Sequence, residues 1–475
     1  MGKPLSFWTM AAYGLGSASN GIKNRSFSAF LLLFYNQVMG LPPAAVGALM
    51  MIALAVDGLI DPAVGIASDH TRSRLGRRHP YMYASALPYG GLFCLLWTPP
   101  AGLSPSLLLI YLAVCLFGVR FFDTFFEVPA SALAPEMTDD YDARTRLISF
   151  RYFFTFVGGL VLSLVAYRVF LRDTPAHPNG LFNPAGYAGY GLCAGLAIAA
   201  VILVSSWGTQ HLIPRLYRPP AERLSASAFF RGVFGTLASR SLWVTAAAGV
   251  FASTAAGFSS GLSMYFHVYF WELTSAQLAW LVTAGFVASL AGVFCGPPVL
   301  KLFGKRRGAI LALLAIMLVN ITPVTLRLLD LLPPNGTPIV LAILIADTFL
   351  AGALNLVLSI AITAMIADLA EDAELRTGRR SEGLLVSADN FVKKTTAGMG
   401  IFSSSLVLAF VSFPEKARPG EVPAEVLRTL GLVFVPTLAV LYLAAVASVW
   451  FYGVSRQSHA DNVARLKANR AAGGP

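Results

Sequence analysis

The stretch LLLIYLAVCLFG at residues 107–118 decides the fold, because nearly every side chain in it is apolar. It lies within a predominantly apolar run at 105–135, and a helix needs roughly 20 apolar residues to cross the hydrocarbon core of a bilayer. A membrane β-barrel would instead show alternating apolar and polar residues over segments of ~10 residues. The stretch therefore predicts a transmembrane helix.

Similar runs recur along the 475-residue chain, which is 56% hydrophobic and 12% charged. Soluble globular domains carry ~25% charged residues, so an ordinary soluble enzyme is excluded. We predict spans at 8–36, 44–68, 80–99, 105–135, 147–172, 187–207, 241–270, 277–300, 308–329, 338–366, 383–412 and 429–455. The expected fold class is an all-α membrane protein with twelve transmembrane helices in two six-helix bundles.

Basic residues are distributed unevenly between alternate loops. Of the 35 Lys and Arg, 23 fall in one set of loops and tails and six in the other. Under the positive-inside rule the first set is cytoplasmic, which predicts a protein of the cell (inner) membrane with both termini in the cytoplasm. The net charge of +11 then reflects topology, and no nucleic-acid partner is expected. The four cysteines stand singly in apolar runs without metal-ligand spacing.

Two acidic segments repeat at an offset of 232 residues, EMTDDYDART at 136–145 and DLAEDAELRT at 368–377. LGRR at 75–78 likewise matches FGKR at 303–306. Repeated halves are typical of secondary transporters, whose bundles move about a site near the membrane midplane. We expect an N-terminal bundle at 1–207, a cytoplasmic linker at 208–240, a C-terminal bundle at 241–455 and a cytoplasmic tail at 456–475.

Two carboxylates in the second span lie four residues apart, Asp57 and Asp61 in VDGLIDP. This spacing places them on one helix face. Two carboxylates that close cannot both stay ionised cheaply in a dry site, so either a cation such as Na⁺ bridges them or one carries a proton. Both solutions predict cation coupling. The alternative is that each Asp pairs with a basic residue of a neighbouring helix.

The fourth span places Arg120, Asp123, Thr124 and Glu127 along one stripe. Glu127 is a candidate for contact with substrate or protons, and Thr124 for a neutral oxygen of the ion site. For Arg120 and Asp123 we favour a structural ion pair with each other. Arg151 in span five suits a carboxylate or a hydroxyl-rich ligand, or a salt bridge to one of the acidic residues.

Span eleven contains Asp389 and Lys393 at i, i+4, which can neutralise each other, whereas Lys394 is rotated by ~100° from them. Lys394 is therefore our candidate for reaching the aspartates and competing with the cation. Lys23 and Arg25 in span one either line a cavity or extend to the membrane surface.

The charged loops form a further candidate group, which would hold one conformation closed through several weak salt bridges acting together. Its members are Arg77, Arg78, Glu136, Asp140, Arg144, Asp368, Asp372 and Arg376.

Three motifs resemble the glycoside–pentoside–hexuronide:cation symporter family of the major facilitator superfamily, to which melibiose permease belongs. They are DGLIDPAVGIASDHTRSRLGRRHPY at 57–81, EVPASALAPEMTDDYDARTRLISFR at 127–151, and MIADLAEDAELRTGRRSEGL at 365–384 with FVKKTTAGMG at 391–400. The resemblance extends over nearly the whole chain. It implies a cation-coupled transporter, and not an enzyme.

Residue by residue, the resemblance implies cation-binding roles for Asp57, Asp61 and Thr124. It implies substrate-site roles for the residues at five positions, Glu127, Arg151, Lys394, Gly21 and Ser131. The last two are departures, since melibiose permease has Asp and Trp there, and Ile60 replaces its cation-site Asn. These departures argue against a galactoside and weaken the case for Na⁺ relative to H⁺.

The function expected is import of a sugar or glycoside by cation-coupled symport (Na⁺ or H⁺) and alternating access. The protein would act as a monomer in the lipid bilayer, with a small-molecule substrate and no cofactor besides the coupling cation. One alternative is a lysolipid or amphipathic-lipid transporter with the same ion machinery, because an animal lysophospholipid transporter is similar in the same motifs. A membrane enzyme or receptor is the other alternative, but the chain has no HExxH motif or nucleophile–base arrangement.

Overall fold

The computed structural model describes residues 5–138, 140–215, 240–377 and 382–451. Within these ranges the chain is almost entirely helical. The α-helices are α1 (Phe7–Leu15), α2 (Ala18–Ser26), α3 (Pro43–His70), α4 (His79–Leu96), α5 (Pro105–Met137), α6 (Tyr141–Val165), α7 (Pro184–Gln210), α8 (Arg240–Tyr265), α9 (Ser275–Phe303), α10 (Lys305–Leu328), α11 (Pro338–Thr377), α12 (Glu382–Phe410) and α13 (Ala424–Trp450).

The predicted spans coincide with these helices, with the first span divided between α1 and α2. Eight of the helices in the described ranges are long and apolar enough to cross a membrane. The all-helical prediction is thus confirmed. α11 continues beyond its predicted end, through the acidic repeat to Thr377.

The first span is irregular, because α1 ends before the pair Gly16–Ser17 and α2 begins after it. Gly/Ser pairs are a recognised cause of sharp helix kinks. Two π-helical turns follow at Phe27–Leu31 and Phe34–Val38. Helix starts elsewhere follow ordinary capping rules: Ser104 accepts a hydrogen bond from the amide of Leu107 at the start of α5.

The contact clusters define two compact units. The first comprises Met1–Leu224, Ser260–Val282 and Leu408–Val422, and the second Ser225–Ser259, Thr283–Val407 and Pro423–Pro475. The expected division into an N-terminal bundle at 1–207 and a C-terminal bundle at 241–455 stays a prediction.

Within the first unit, α4 packs against α5 and α7, and α2 against α6. An aromatic cluster fills its interior, in which the Trp97 and Tyr187 rings stack at 5.7 Å and Phe30 meets both Trp97 and Tyr190 edge-on. All four side chains are almost completely buried. Aromatic pairs of this geometry contribute roughly 0.5–1.5 kcal/mol beyond the burial of their area.

The two short segments at 260–282 and 408–422 join the first unit through buried amide side chains. The Tyr265 hydroxyl donates to Oδ1 of Asn36 over 2.7 Å. Gln37 donates to the Pro414 carbonyl over 3.1 Å and accepts from the Ala417 amide over 3.0 Å. A single neutral residue, Gln37, therefore satisfies backbone groups of a distant segment of the chain.

Within the second unit, α10 packs against α11 and α13. α8 and α12 approach closely through glycines, because a Cβ on Gly257 would overlap the Ala397 carbonyl and one on Gly400 would overlap the Thr254 carbonyl. In the first unit α2 and α6 meet in the same way at Gly21. In a bilayer the hydrophobic effect does not draw helices together, and small residues instead let their backbones pack closely. Here the close contacts join α2 to α6 and α8 to α12, which are equivalent pairs in the predicted repeat.

Gly21→Ala is expected to lower the unfolding midpoint in detergent, because the new Cβ would overlap the carbonyl oxygen of Thr155. Overpacking of this kind costs roughly 1–3 kcal/mol. Gly91→Ala is the matched control, since a Cβ on Gly91 of α4 meets nothing within 4 Å. Equal midpoints for the two variants would show that the α2–α6 contact does not require glycine.

Candidate functional site

The two aspartates of α3 converge on one hydroxyl of α5. The Thr124 Oγ1 lies 2.9 Å from Oδ1 of Asp57 and 3.0 Å from Oδ1 of Asp61. Asp57 and Thr124 are 4% and 2% exposed, and Asp61 is half-buried. Pro62 follows Asp61 inside α3 and cannot donate to the Gly58 carbonyl. The i, i+4 spacing therefore brings both carboxylates to one point inside the first unit.

The single hydrogen of the Thr124 hydroxyl restricts the charge state of the two carboxylates. A hydroxyl has one hydrogen to donate and two lone pairs to accept with, yet the Thr124 oxygen contacts two carboxylate oxygens. If both carboxylates were ionised, one of the contacts would bring two acceptors together without a hydrogen. A proton on one carboxyl, or a cation shared by the oxygens, removes that conflict. The arrangement can therefore hold a small monocation.

Arg120 is the basic partner of this pair. Its Nη1 lies 3.3 Å from Oδ2 of Asp57, and its guanidinium carbon lies 5.5 Å from the centre of the Phe27 ring. The predicted pairing of Arg120 with Asp123 is wrong. Asp123 instead pairs with the buried Lys23, and the Tyr89 hydroxyl donates to its Oδ1 over 2.9 Å.

A cavity of about 300 Å³ opens beside Asp57 and Arg120. Its other walls are almost entirely apolar and come from α3 and α5: Ala53, Val56, Ile60, Phe117, Gly118 and Phe121. Ile60, which the resemblance marked as a departure, is thus a wall of this cavity.

A second ion pair lies further along the stripe of α5, between Glu127 and Arg151 of α6. Arg151 also donates to the Tyr13 hydroxyl over 3.2 Å, and that hydroxyl donates to the Ala130 carbonyl over 3.0 Å. Within the described residues, Oε2 of Glu127 is buried without a hydrogen-bond partner. It is an acceptor to which the hydroxyl of a ligand can donate.

Three further candidates have different surroundings. Gly21 is buried against Thr155 of α6. Ser131 is exposed, and its hydroxyl donates to the Val128 carbonyl over 2.8 Å. Lys394 is half-buried on α12, in the second unit.

The loop after α3 holds a compact charged cluster. Gly76 adopts a φ of +74°, a left-handed conformation that glycine accepts without cost, and the turn presents Arg77 and Arg78 to Glu136 at 2.7 and 3.1 Å. Both arginines also pair with Asp69, which the sequence analysis did not single out. The cluster thus links the ends of α3 and α5 inside the first unit.

Asp140 and Arg144 lie outside this cluster. Asp140 caps α6, where the amides of Ala143 and Asp142 hold the pKa of its carboxyl below the usual range. Arg144 donates to the Thr138 carbonyl over 3.5 Å. The side chains of Asp368, Asp372, Arg376 and Asp389 lie outside the part of the structure that is described in detail.

Sequence reasoning missed the partners of the charged network. It left the place of Lys23 open and did not consider Tyr89. A buried lysine needs an acidic partner, but residue spacing does not indicate which of the acidic residues in the other spans supplies it.

The long apolar helices and buried ion pairs are those of a polytopic membrane transporter. The family model described as MFS/sugar transport protein matches residues 12–456. The chain therefore belongs to this family of membrane transporters, as the motifs predicted, and is itself a multi-pass membrane protein.

Individual proteins agree with this assignment. The uncharacterized symporter sll1374 of Synechocystis is 32% identical over 47% of this chain and 42% of its own length. The isoprimeverose transporter of Lactiplantibacillus pentosus is 23% identical over 84% of this chain and 79% of that protein. A crystal structure of a bacterial homologue of the human lysosomal transporter Spinster superposes with a TM-score of 0.67, at 15% identity, covering 96% of this chain and 100% of that one. The major facilitator fold is thereby confirmed.

Proposed function

We propose that this protein is a cation-coupled symporter that imports a sugar or glycoside across the cell (inner) membrane, with both termini in the cytoplasm. The observation that carries the proposal is the contact of one hydroxyl, on Thr124, with two carboxylates, Asp57 and Asp61. A shared monocation satisfies all three groups. The family and the isoprimeverose transporter support a sugar as the substrate class.

The substrate is held by Glu127 and Arg151. A sugar presents adjacent hydroxyls, which can donate to the open Oε2 of Glu127 and accept from the guanidinium. Arg151 has five N–H donors in a fixed fork, so it can keep its contact with Glu127 while it donates to a ligand. Glu127 lies on α5 and Arg151 on α6, and both belong to the same unit as the aspartates.

Cation and substrate act together because each favours the same state of the carrier. A ligand shifts a conformational equilibrium only by its differential affinity for the two states, and neutralising the aspartates lowers the cost of burying them. We propose that Lys394 competes with the cation for the same carboxylates. The basis for this role is its position in the motif. The charged cluster of Arg77, Arg78 and Glu136 stabilises one of the two states.

The test of symport is uptake by the purified protein in proteoliposomes. A panel of glycosides, including isoprimeverose, is first screened by thermal shift with and without Na⁺ at two pH values. Uptake of a binding compound is then measured under an inward Na⁺ gradient, an inward proton gradient or neither. Accumulation above the outside concentration under one gradient alone supports the proposal. Uptake that only equilibrates under every gradient contradicts it.

Glu127→Gln is expected to weaken binding of the identified glycoside by about 10- to 100-fold, because a charged hydrogen-bond acceptor contributes ~1.5–3 kcal/mol. The cation response of the purified protein should persist, since Glu127 forms its ion pair with Arg151 of α6 and not with the aspartates of α3 in the described part of the chain. Thermal shift with the glycoside and with Na⁺ separates the two effects. Glu425→Gln is the matched control, because it makes the same change at an exposed residue in the first turn of α13.

A further inference from the structure

α11 carries one acidic residue in the part that crosses the membrane. Asp347 is the only charged residue type in the sequence from Pro338 to Met365. It lies nine residues after Pro338, or about 14 Å along the helix axis, which places it well inside a hydrocarbon core of ~30 Å. A carboxyl group at this depth is costly and by default indicates a functional site.

Asp347 shares a helix face with buried apolar side chains. Its position fits steps of three and four residues, which keep side chains on one face of a helix. The buried members of this face are Val340, Leu344, Leu358, Ala361 and Met365. The face of α11 that contacts α9 is a different one, because it includes Gly352 and Leu356, which are rotated from Asp347 by about 140° and 180°.

The carboxyl group of Asp347 has no visible means of carrying a charge. Within the described residues, its Oδ1 is buried without a hydrogen-bond partner. Asp347 also takes part in none of the ion pairs that these residues form. A buried carboxylate without a donor or a counter-charge is strongly disfavoured relative to one in water, and such a group takes up a proton and becomes neutral.

No basic side chain described in the second unit pairs with Asp347. Lys305 of α10 donates to the carbonyl of Ala364, which lies 17 residues after Asp347 on α11. Arg327, near the other end of α10, donates to the Pro333 carbonyl and to Oδ1 of Asn335. The other basic residues of this unit with described side chains are Lys301, Arg306, Arg307, Lys393, Lys394 and Arg428.

The other titratable groups of the neighbouring helices leave the carboxyl group equally isolated. Tyr442 is buried on α13, and its hydroxyl is hydrogen-bonded to Asn320 of α10. Cys295 of α9 and Glu425 of α13 are exposed. A proton is therefore the ligand that Asp347 can bind without any partner from these helices.

We propose that Asp347 is a proton-binding site of the second unit, separate from the aspartate pair, and that its proton stabilises the packing of α11 in that unit. The bound proton keeps the carboxyl group neutral beside the apolar side chains of its face. Loss of the proton at higher pH leaves a carboxylate there and weakens the packing. The inference holds whichever cation the aspartate pair of the first unit binds.

The bound proton gives the stability of the protein a defined dependence on pH. An aspartate in an unfolded chain ionises at about pH 3.9, so above that pH the folded protein holds one proton more at Asp347 than the unfolded chain does. Stability then falls as the pH rises, until the folded protein also loses the proton. Asp347→Asn keeps the shape of the side chain but cannot ionise, so it removes this contribution.

The first test is the unfolding midpoint of the purified full-length chain in one detergent, measured from about pH 5 to about pH 8. The midpoint of the native protein should fall relative to that of Asp347→Asn as the pH rises, by about 2 °C or more over this range. Asp330→Asn is the matched control, because it makes the same change at an exposed loop residue, and its midpoint should run parallel to the native one.

Asp347→Leu provides a second variant if Asp347→Asn fails to fold. Leucine continues the apolar face that contains Leu344 and Leu358, and it also cannot ionise. Its midpoint relative to the native protein should therefore change with pH in the same direction and to a similar extent.

Infrared difference spectra detect the proton directly. The spectrum of the native protein minus that of Asp347→Asn, or of Asp347→Leu, should contain the carbonyl band of a protonated carboxyl group at neutral pH, shifted in D₂O. The same difference for Asp330→Asn should contain carboxylate bands alone. A midpoint gap that widens with pH, together with the protonated band, supports the proposal. A gap that stays constant with pH, or a native spectrum without that band, overturns it.

Discussion

Asp61→Asn is expected to reduce concentrative uptake by about 10- to 100-fold, since a hydrogen bond to a charged group contributes ~1.5–3 kcal/mol. The reason is local. Asp61 meets the Thr124 hydroxyl at 3.0 Å, and an uncharged amide there removes one of the two carboxylates that would share the cation. The coupling cation then loses a charged ligand. Exchange of substrate across the membrane, which needs no net cation movement, should be affected less.

Asp57→Asn should have the same effect on coupling and a larger effect on stability. Asp57 is the partner of Arg120, so its neutralisation leaves the guanidinium beside a site without its counter-charge. We therefore expect a lower unfolding midpoint for Asp57→Asn than for Asp61→Asn. The difference separates the structural part of the Asp57 role from the part that both aspartates share.

The measurement is uptake of the identified glycoside into proteoliposomes under the gradient that drives the native protein. Asp330→Asn is the control, because Asp330 is an exposed loop residue with a φ of +56°, and Asn tolerates that conformation as well as Asp does. Concentrative uptake that survives both Asp57→Asn and Asp61→Asn unaltered would contradict the proposed ion site.

Helix periodicity predicted those parts of the site that depend on a single helix. Two residues four apart share a face wherever the helix lies, so the convergence of Asp57 and Asp61 followed from spacing alone. The long apolar runs fixed the helices in the same way. What a single helix does not determine is which neighbour faces it.

The pairing of Arg120 shows this limit. A local i, i+3 partner such as Asp123 contributes only ~0.2–0.5 kcal/mol on a helix, whereas a buried charge left without a counter-charge costs several kcal/mol. Asp57 of α3 and Lys23 of α2 both need partners inside the unit. The structure therefore satisfies all four charges across helices, with Arg120 on Asp57 and Asp123 on Lys23, and the local pair is given up.

Asp140 illustrates the opposite case, where a local role is stronger than the long-range one that the sequence suggested. Its repeat with Asp372 indicated a charged network, but its Oδ1 accepts from the amides of Asp142 and Ala143 at 2.7 and 3.0 Å. An Asp at a helix N-cap stabilises the helix by accepting from amides of the first turn that have no partner within the helix. The sequence did contain this signal, because Asp140 directly precedes the first helical residue.

Lys23→Met is expected to destabilise the protein by roughly 3–5 kcal/mol, since it leaves Asp123 buried without its counter-charge. Lys23 is 4% exposed and Asp123 5%, so water cannot take over the contact. Asp123→Asn should cost a similar amount by stranding the ammonium group. The amide oxygen in this variant can still accept from the Tyr89 hydroxyl, so the substitution removes the charge and keeps that hydrogen bond.

The double variant Lys23→Met, Asp123→Asn distinguishes a paired charge from two separate packing defects. Replacing both members of a buried pair is often nearly neutral, so most of the lost stability should return. Lys301→Met is the control, because Lys301 is exposed on α9. Unfolding midpoints of the four variants in one detergent give the coupling energy. If the two single effects add in the double variant, Lys23 and Asp123 do not act as a pair.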